Sequence, residues 1–181
     1  MELNLIVMLG LSALLVFWMV GAHNRLVALR NDLTQAWLKV QEPLSLRAAA
    51  LQPLLSAMRE PLAAEHGALD ALLVAHEQAW HAAALMRAQP TEPQRAATWV
   101  SAEAALSASA SRVMALLEQH PVLRQTEAVA ALVQSWSEAQ AKLPFVRELF
   151  NEASSAYNGA LALFPTRLLT ALFRFSPAGR L

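Results

Sequence analysis

The sequence predicts an all-α protein, in which an N-terminal transmembrane helix is followed by an antiparallel up-down-up-down four-helix bundle. Three observations lead to this fold class: an apolar run over residues 3–22, a composition rich in Ala and Leu, and prolines that divide the remaining chain into segments of helix length. The domains that follow are an anchor over residues 1–22, a bundle over 23–165 and an amphipathic C-terminal tail over 166–181.

The apolar run is long enough to cross a bilayer. Twenty residues at about 1.5 Å rise form a helix of roughly 30 Å, the thickness of the hydrocarbon core. A cleaved signal peptide is the alternative, since Val20-Gly21-Ala22 has the small residues of a cleavage site, but Glu2 stands where a basic segment is expected. A buried core helix is disfavoured because the run has no polar face. We therefore predict an uncleaved anchor.

The charges on either side of the anchor predict its orientation. Glu2 precedes the run, whereas Arg25, Arg30, Lys39 and Arg47 follow it. Because positive residues stay on the cytoplasmic side, we expect a single-pass protein of the bacterial inner (cytoplasmic) membrane with its N-terminus outside and its bundle in the cytoplasm. The chain contains no Cys, which fits a reducing compartment.

Four helices are predicted after the anchor. The first continues along an apolar stripe from Leu26 to Val40 with a spacing of three and four residues. Pro43 and Pro53 are expected to end or kink it, and Pro144 to distort the last helix. The clearest turn is Gln89–Pro93. The later helices are predicted over residues 51–86, 94–119 and 123–163.

Four tryptophans lie on the apolar stripes of these helices. We expect them to fill the core, with each indole N–H finding a partner. A groove for a ligand or a partner helix is the alternative use of these rings. The tryptophans are Trp37, Trp80, Trp99 and Trp136.

Catalytic and metal motifs are missing from the sequence. His76 and His81 flank Glu77, but they lie one residue too far apart for the zincin motif and point roughly 140° apart around a helix. We therefore expect two exposed histidines and no metal site. The serines lack a Gly-x-Ser-x-Gly context, and no phosphate loop or dinucleotide fingerprint occurs. We predict no catalytic residue, no cofactor and no enzymatic activity.

Nucleic acid is an unsuitable partner for this chain. Its 14 basic and 14 acidic residues cancel, so no field attracts a phosphate backbone.

Several short motifs resemble the LemA family. His23-Asn24-Arg25-Leu26-Val27, followed by Ala36-Trp37, is similar to the family's opening helix. The stretch from Phe150-Asn151-Glu152 to Phe164-Pro165 resembles its last helix, and Glu118–Leu123 its preceding turn, although His23 replaces an aromatic residue and His120 a Tyr. The residues that carry the resemblance are Asn24, Arg25, Asn31, Trp37, Asn151, Tyr157, Asn158, Phe164 and Pro165.

The resemblance implies an anchored four-helix bundle of coiled-coil-like packing whose activity is not settled. Some members are encoded near membrane peptidases or other small membrane proteins, which implies a scaffold or assembly role. We therefore predict a scaffold or interaction module for a membrane-associated complex. Its partners would be the lipid bilayer and a membrane protein such as a membrane peptidase, and a homo-oligomer is compatible with this role. A ligand-binding or sensory bundle at the membrane is the alternative, and an enzyme of unrecognised type the third reading.

Asparagines recur at a spacing of seven in the first and last helices. Asn24 and Asn31 would face Asn158 and Asn151 across an antiparallel pairing, because a polar residue at a helix seam sets its register. The alternative is that these amides are exposed or bond backbone groups.

The tail is amphipathic. Over residues 166–175 one arc of a helix carries Leu168, Leu169, Leu172, Phe173 and Phe175, and the other arc carries Arg167, Thr170, Ala171 and Arg174. This pattern predicts an interfacial helix among lipid headgroups. The same pattern would also serve a segment that folds back to cap the end of the bundle.

Overall fold

The structure of the protein is a computed structural model, which describes residues 2–164, 166–167 and 175–181, with side chains from residue 6 onward. Of the described residues, 88% are helical and none is in a strand. The all-α prediction is therefore confirmed. The helices are α1 Glu2–Arg59, α2 His66–Ala88, α3 Pro93–Glu118, α4 Pro121–Arg124 and α5 Glu127–Ala162, with a short 3-10 helix Ala63–Glu65 before α2.

The first helix does not end at Pro43 or Pro53, which were expected to end or kink it. Pro43 and Pro53 both lie inside α1, which continues to Arg59. A proline inside a helix removes one hydrogen bond and costs about 3 kcal/mol, but the apolar stripe runs on through Leu44, Leu51, Leu54, Leu55 and Met58, all of which are buried. Tertiary packing therefore outweighs the local cost, and the predicted helix start at residue 51 is wrong.

A third proline lies where the chain does turn. Pro61 directly follows Glu60, and the residue before a proline is pushed out of the α region. The chain leaves the helix over residues 60–62 and re-enters it at His66.

The remaining boundaries agree with the sequence more closely. The turn at Gln89–Pro93 is confirmed, and Pro93 is the first residue of α3, a position that suits proline because its missing N–H would be unpaired there anyway. The predicted last helix is interrupted near its start, since α4 ends at Arg124 and α5 begins at Glu127. Pro144 lies inside α5 without dividing it.

The core consists of two apolar clusters arranged along the helices. The most extensive helix contacts are α1 with α5 and α2 with α3. The first cluster includes Leu26, Leu33, Trp37, Met86, Trp99, Phe150 and Tyr157. The second cluster includes Leu51, Leu54, Met58, Leu72, Leu106, Val113 and Trp136.

The N-terminal part of α1 has no packing partner among the described residues. Its most apolar window has a mean hydropathy of 2.0 and none of it is buried. Phe17, for example, is 77% exposed. By length and composition, this is the one helix among the described residues that is apolar enough to cross a membrane.

The C-terminal tail is described in part. Residues 168–174, which carry most of the predicted interfacial helix, lie outside the described residues, as does Pro165. Phe175 and Leu181 pack against the first cluster, and Ala178 is buried in it.

Candidate functional site

A charged pair is buried between the two apolar clusters. Arg47 Nη1 donates to Glu103 Oε2 at 2.9 Å and Arg47 Nη2 to Glu103 Oε1 at 2.5 Å. Arg47 Nη1 also donates to Gln140 Oε1 at 2.9 Å. The two charged side chains are 4% and 9% exposed. A single guanidinium thus joins α1, α3 and α5 at the level where one cluster ends and the other begins.

The geometry offsets much of the cost of burying these charges. Desolvation costs several kcal/mol per ion, and only close, hydrogen-bonded pairing recovers it. The two-pronged contact uses both carboxylate oxygens of Glu103. The ring of Trp136 lies 5.4 Å from Arg47 Cζ and adds a cation–π attraction. Removing either charged partner would leave the other as an unpaired buried charge.

A histidine from α2 lies beside this pair. Burial, followed by the positive charge of Arg47, lowers the pKa of His76 from its ordinary value of 6.5, and Glu103 opposes the change in part. Its Nδ1 is buried and has no hydrogen-bond partner among the described residues. His76 is therefore a neutral imidazole near pH 7, and α2 completes the set of four long helices that meet at this level.

A surface groove opens next to the histidine. It has a volume of about 270 Å³. Trp80, which is 48% exposed, stands 6.1 Å from His76, ring centre to ring centre. The groove is lined by Gln41, Leu44, Ser45, Trp80, Ala83, Ala84 and Arg87. An aromatic face, a cation and neutral polar groups converge here, which is the usual make-up of a ligand site.

The groove continues inward toward the ion pair. Leu44, Trp80 and Ala83 also line a small cavity whose other walls are Arg47, His76, Ala79 and Glu103. A bound molecule in the groove would therefore lie one side-chain layer from the buried charges.

The tryptophans divide between core and surface. Trp37, Trp99 and Trp136 are buried as predicted, whereas the core prediction for Trp80 is wrong. Trp37 and Trp99 meet edge to face, with ring centres 5.4 Å apart at 89°, a favourable arrangement of two quadrupoles. Their indole N–H groups have no hydrogen-bond partner among the described residues. The expectation that each would find one is therefore wrong for this pair.

The prediction that both histidines are exposed is confirmed for His81 and wrong for His76. His81 is exposed, but His76 is half-buried, because it faces α1 and α3 while His81 points to solvent. In the described part of the chain, no group of three His, Cys, Asp or Glu residues is placed to hold a metal ion.

Sequence reasoning missed the role of Arg47. The residue was counted among the cytoplasmic flanking charges, yet it is buried, so Arg25, Arg30 and Lys39 remain as the exposed basic residues that follow the apolar run. The signal that would have identified it is its spacing, since Arg47 stands on the same stripe as Leu44 and Leu51. A charge on an apolar stripe predicts a buried partner.

The residues that resemble the family motif do not form one site. Trp37, Tyr157 and Asn151 are buried, and burial raises the pKa of the Tyr157 phenol. Phe164 is 81% exposed. Arg25 is exposed as well.

The predicted asparagine ladder is wrong. Asn24 and Asn31 are exposed on α1. The amides of Asn151 and Asn158 bond the backbone of the C-terminal segment instead. The alternative, in which the amides are exposed or bond backbone groups, describes all four.

Comparison with known proteins identifies one family. The model of the LemA family matches residues 36–180. The match includes Arg47, Glu103 and the asparagines of α5, and it begins after Asn24 and Asn31. No curated protein matches the chain.

Proposed function

The chain belongs to the LemA family, and we propose that it is a membrane-anchored scaffold or interaction module, without catalysis, for a membrane-associated complex. Residues 1–22 would hold it in the bacterial inner membrane, and the bundle over residues 23–165 would present its surface to partners in the cytoplasm. The observation that carries the proposal is that α1 begins with an unburied apolar segment and continues without interruption into the core.

The exposed part of α1 supports the anchor. Leu14, Leu15 and Phe17 are 67%, 61% and 77% exposed, and each large apolar side chain left in water costs about 1.5–3 kcal/mol relative to burial. A bilayer removes this cost over the whole segment. From Leu26 onward the same helix is buried on one face, so a tilt of the anchor would be transmitted to the bundle as a rigid body.

The flanking charges support the orientation. Arg25, Arg30 and Lys39 are exposed within one short stretch after the apolar run, and positive residues are retained on the cytoplasmic side. A cytosolic reporter fused after Leu181 should be active. Activity of a reporter that works only in the periplasm would reverse the assignment.

The helix contacts support an antiparallel up-down-up-down bundle. Trp37 contacts Phe150, whereas Arg47, further along α1, contacts Trp136, which is earlier in α5. Short turns join α1 to α2 and α2 to α3, as in bundles of this topology.

The partner would be an integral membrane protein, a class that includes the membrane peptidases. The test is a detergent pull-down of the full chain from native membranes, followed by mass spectrometry. We expect one membrane protein at a fixed stoichiometry. The matched control replaces residues 1–22 with an unrelated transmembrane segment and should retain the same partner, because the bundle makes the contact.

A small-ligand function is the second candidate, and the Trp80 groove is the observation that favours it. Trp80→Ala would remove the aromatic wall of the groove, whereas Phe145→Ala removes a ring that is 68% exposed and does not line the groove. If partner recovery is unchanged in both variants but a small molecule extracted with the wild type is lost only with Trp80→Ala, the sensory reading is favoured over the scaffold.

A further inference from the structure

The asparagines of α5 hold an extended peptide segment of the chain itself. Asn158 Nδ2 donates to the carbonyl of Ala178 at 2.9 Å, and the Ala178 N–H donates to Asn158 Oδ1 at 2.7 Å. Asn151 pairs with Leu181 in the same way: Asn151 Nδ2 donates to the Leu181 carbonyl at 3.0 Å, and the Leu181 N–H donates to Asn151 Oδ1 at 2.8 Å. Between them, the Ser154 hydroxyl donates to the carbonyl of Gly179 at 2.7 Å. Each amide therefore pairs with both backbone groups of one residue, as a neighbouring strand would.

The spacing of the row matches an extended chain. Seven residues of helix rise about 10.5 Å, and three residues of extended backbone span about 10–11 Å. Asn158 and Asn151 can therefore bond residues that are three apart in a segment running opposite to α5. We define the row as Asn151, Ser154 and Asn158.

A second groove lies beside the row, and it excludes a side chain at position 179. A Cβ on Gly179 would lie 2.6 Å from the Cβ of Ala96 and 3.0 Å from the Cα of Pro93, so this position admits only glycine. Ala178 is 6% exposed within the first cluster, whereas Arg180 is exposed. The pattern that fits is Ala-Gly-x-Leu, in which the third position is unrestricted.

We propose that the row and its groove are an exchangeable peptide-binding site, whose resident ligand is Phe175–Leu181 and whose second ligand is an extended partner segment of the Ala-Gly-x-Leu pattern. The polar contacts of the row go to main-chain atoms, so a foreign segment of this pattern makes the same bonds. The resident segment would then occlude the site until a partner displaces it. The biological use of this peptide-binding site rests on the interaction function proposed above.

The absence of Cys from the chain allows the resident segment to be labelled at one position. Arg180→Cys would carry a fluorophore on an exposed side chain of the full-length protein in detergent micelles. The probe is an unlabelled synthetic peptide with the sequence of Phe175–Leu181. Because a tethered segment has an effective concentration of the order of millimolar, we expect half of the fluorescence anisotropy change at about that peptide concentration.

Three controls assign the site. A peptide carrying Gly179→Val should release nothing, because its side chain meets Ala96. Asn151→Ala with Asn158→Ala should lower the anisotropy of the label before any peptide is added, since each amide contributes two hydrogen bonds to the docked form. The change weakens the resident segment and the competing peptide alike, so the readout of this variant is the starting anisotropy. Asn24→Ala with Asn31→Ala changes the same residue type at the same spacing on exposed positions and should behave as the wild type.

The proposal is overturned if the anisotropy of the labelled wild-type background is unchanged up to about 10 mM peptide, ten times the expected effective concentration. It is also overturned if the valine peptide releases the segment equally well. These titrations do not depend on the asparagine variants, so misfolding of those variants leaves the test intact. A negative titration alongside a recovered membrane partner would leave the scaffold function standing and remove only this site.

Discussion

Removal of Glu103 should destabilise this protein more than removal of any exposed acid. Glu103→Ala leaves the Arg47 guanidinium 4% exposed with Gln140 as its hydrogen-bonding acceptor. Breaking one side of a buried pair costs about 3–5 kcal/mol. For a chain of this length, each kcal/mol corresponds to roughly 2–4 °C in Tm, so we expect a fall of about 6–20 °C.

The measurement is thermal unfolding of the full chain in detergent, followed by circular dichroism at the helix band. The matched control is Asp70→Ala, which breaks the ion pair between Arg59 and Asp70. Those side chains are 60% and 57% exposed, so this change should cost less than about 1 kcal/mol.

A double replacement separates the charge from the packing. Arg47→Met with Glu103→Leu removes both ions and keeps side chains of similar volume. Such replacements are neutral or stabilising by about 1–4 kcal/mol in other proteins, so this variant should regain most of the stability lost in Glu103→Ala. Equal losses for Glu103→Ala and Asp70→Ala would refute the reasoning, because they would mean that the buried carboxylate is effectively solvated.

Three further predictions concern single residues. His76→Asn should flatten the pH dependence of the free energy of unfolding. Because the pKa of His76 is lowered in the folded state, the unfolded chain takes up a proton first, and the wild type loses stability as the pH falls below 6.5. An unchanged pH profile between the two proteins would exclude this role. Trp37→Ala should cost about 3–5 kcal/mol, against less than about 1 kcal/mol for the half-exposed Trp80→Ala, by denaturant titration. Gly159→Ala should stabilise α5 by about 0.5–1 kcal/mol, because a Cβ there meets no atom within 4 Å; a lower Tm would indicate a contact that the described protein does not contain.

Much of the helical architecture follows from local sequence. The stripe from Leu26 to Val40 and the turn at Gln89–Pro93 are properties of neighbouring residues, and both are confirmed. The prolines were harder to interpret. Pro43 and Pro61 have the same local chemistry, yet one lies inside a helix and the other at its end. Buried residues flank both prolines, with Val40 and Leu44 beside Pro43 and Met58 and Leu62 beside Pro61, so neither the local sequence nor local burial distinguishes the two sites.

The candidate site was mostly invisible to sequence reasoning. Arg47 and Glu103 are separated by 56 residues, so no local pattern pairs them. Each nevertheless stands on an apolar stripe of its helix, and this mismatch between a charged side chain and an apolar position can be seen in the sequence. Trp80 has the same residue type and helical setting as Trp99, and only the packing of the helices determines which ring is buried and which lines the groove.

The asparagines show the same division. Their heptad spacing in α5 is a fact of sequence and correctly indicates a row of amides on one face. Residue type and periodicity are enough to predict the helix-forming segments, the apolar N-terminal run and the positions of the polar residues within each stripe. The binding of Asn151 to Leu181 and of Asn158 to Ala178, in place of Asn31 and Asn24, depends on tertiary packing. An amide bonds whichever backbone or side chain lies closest, and that neighbour is set by how distant segments pack.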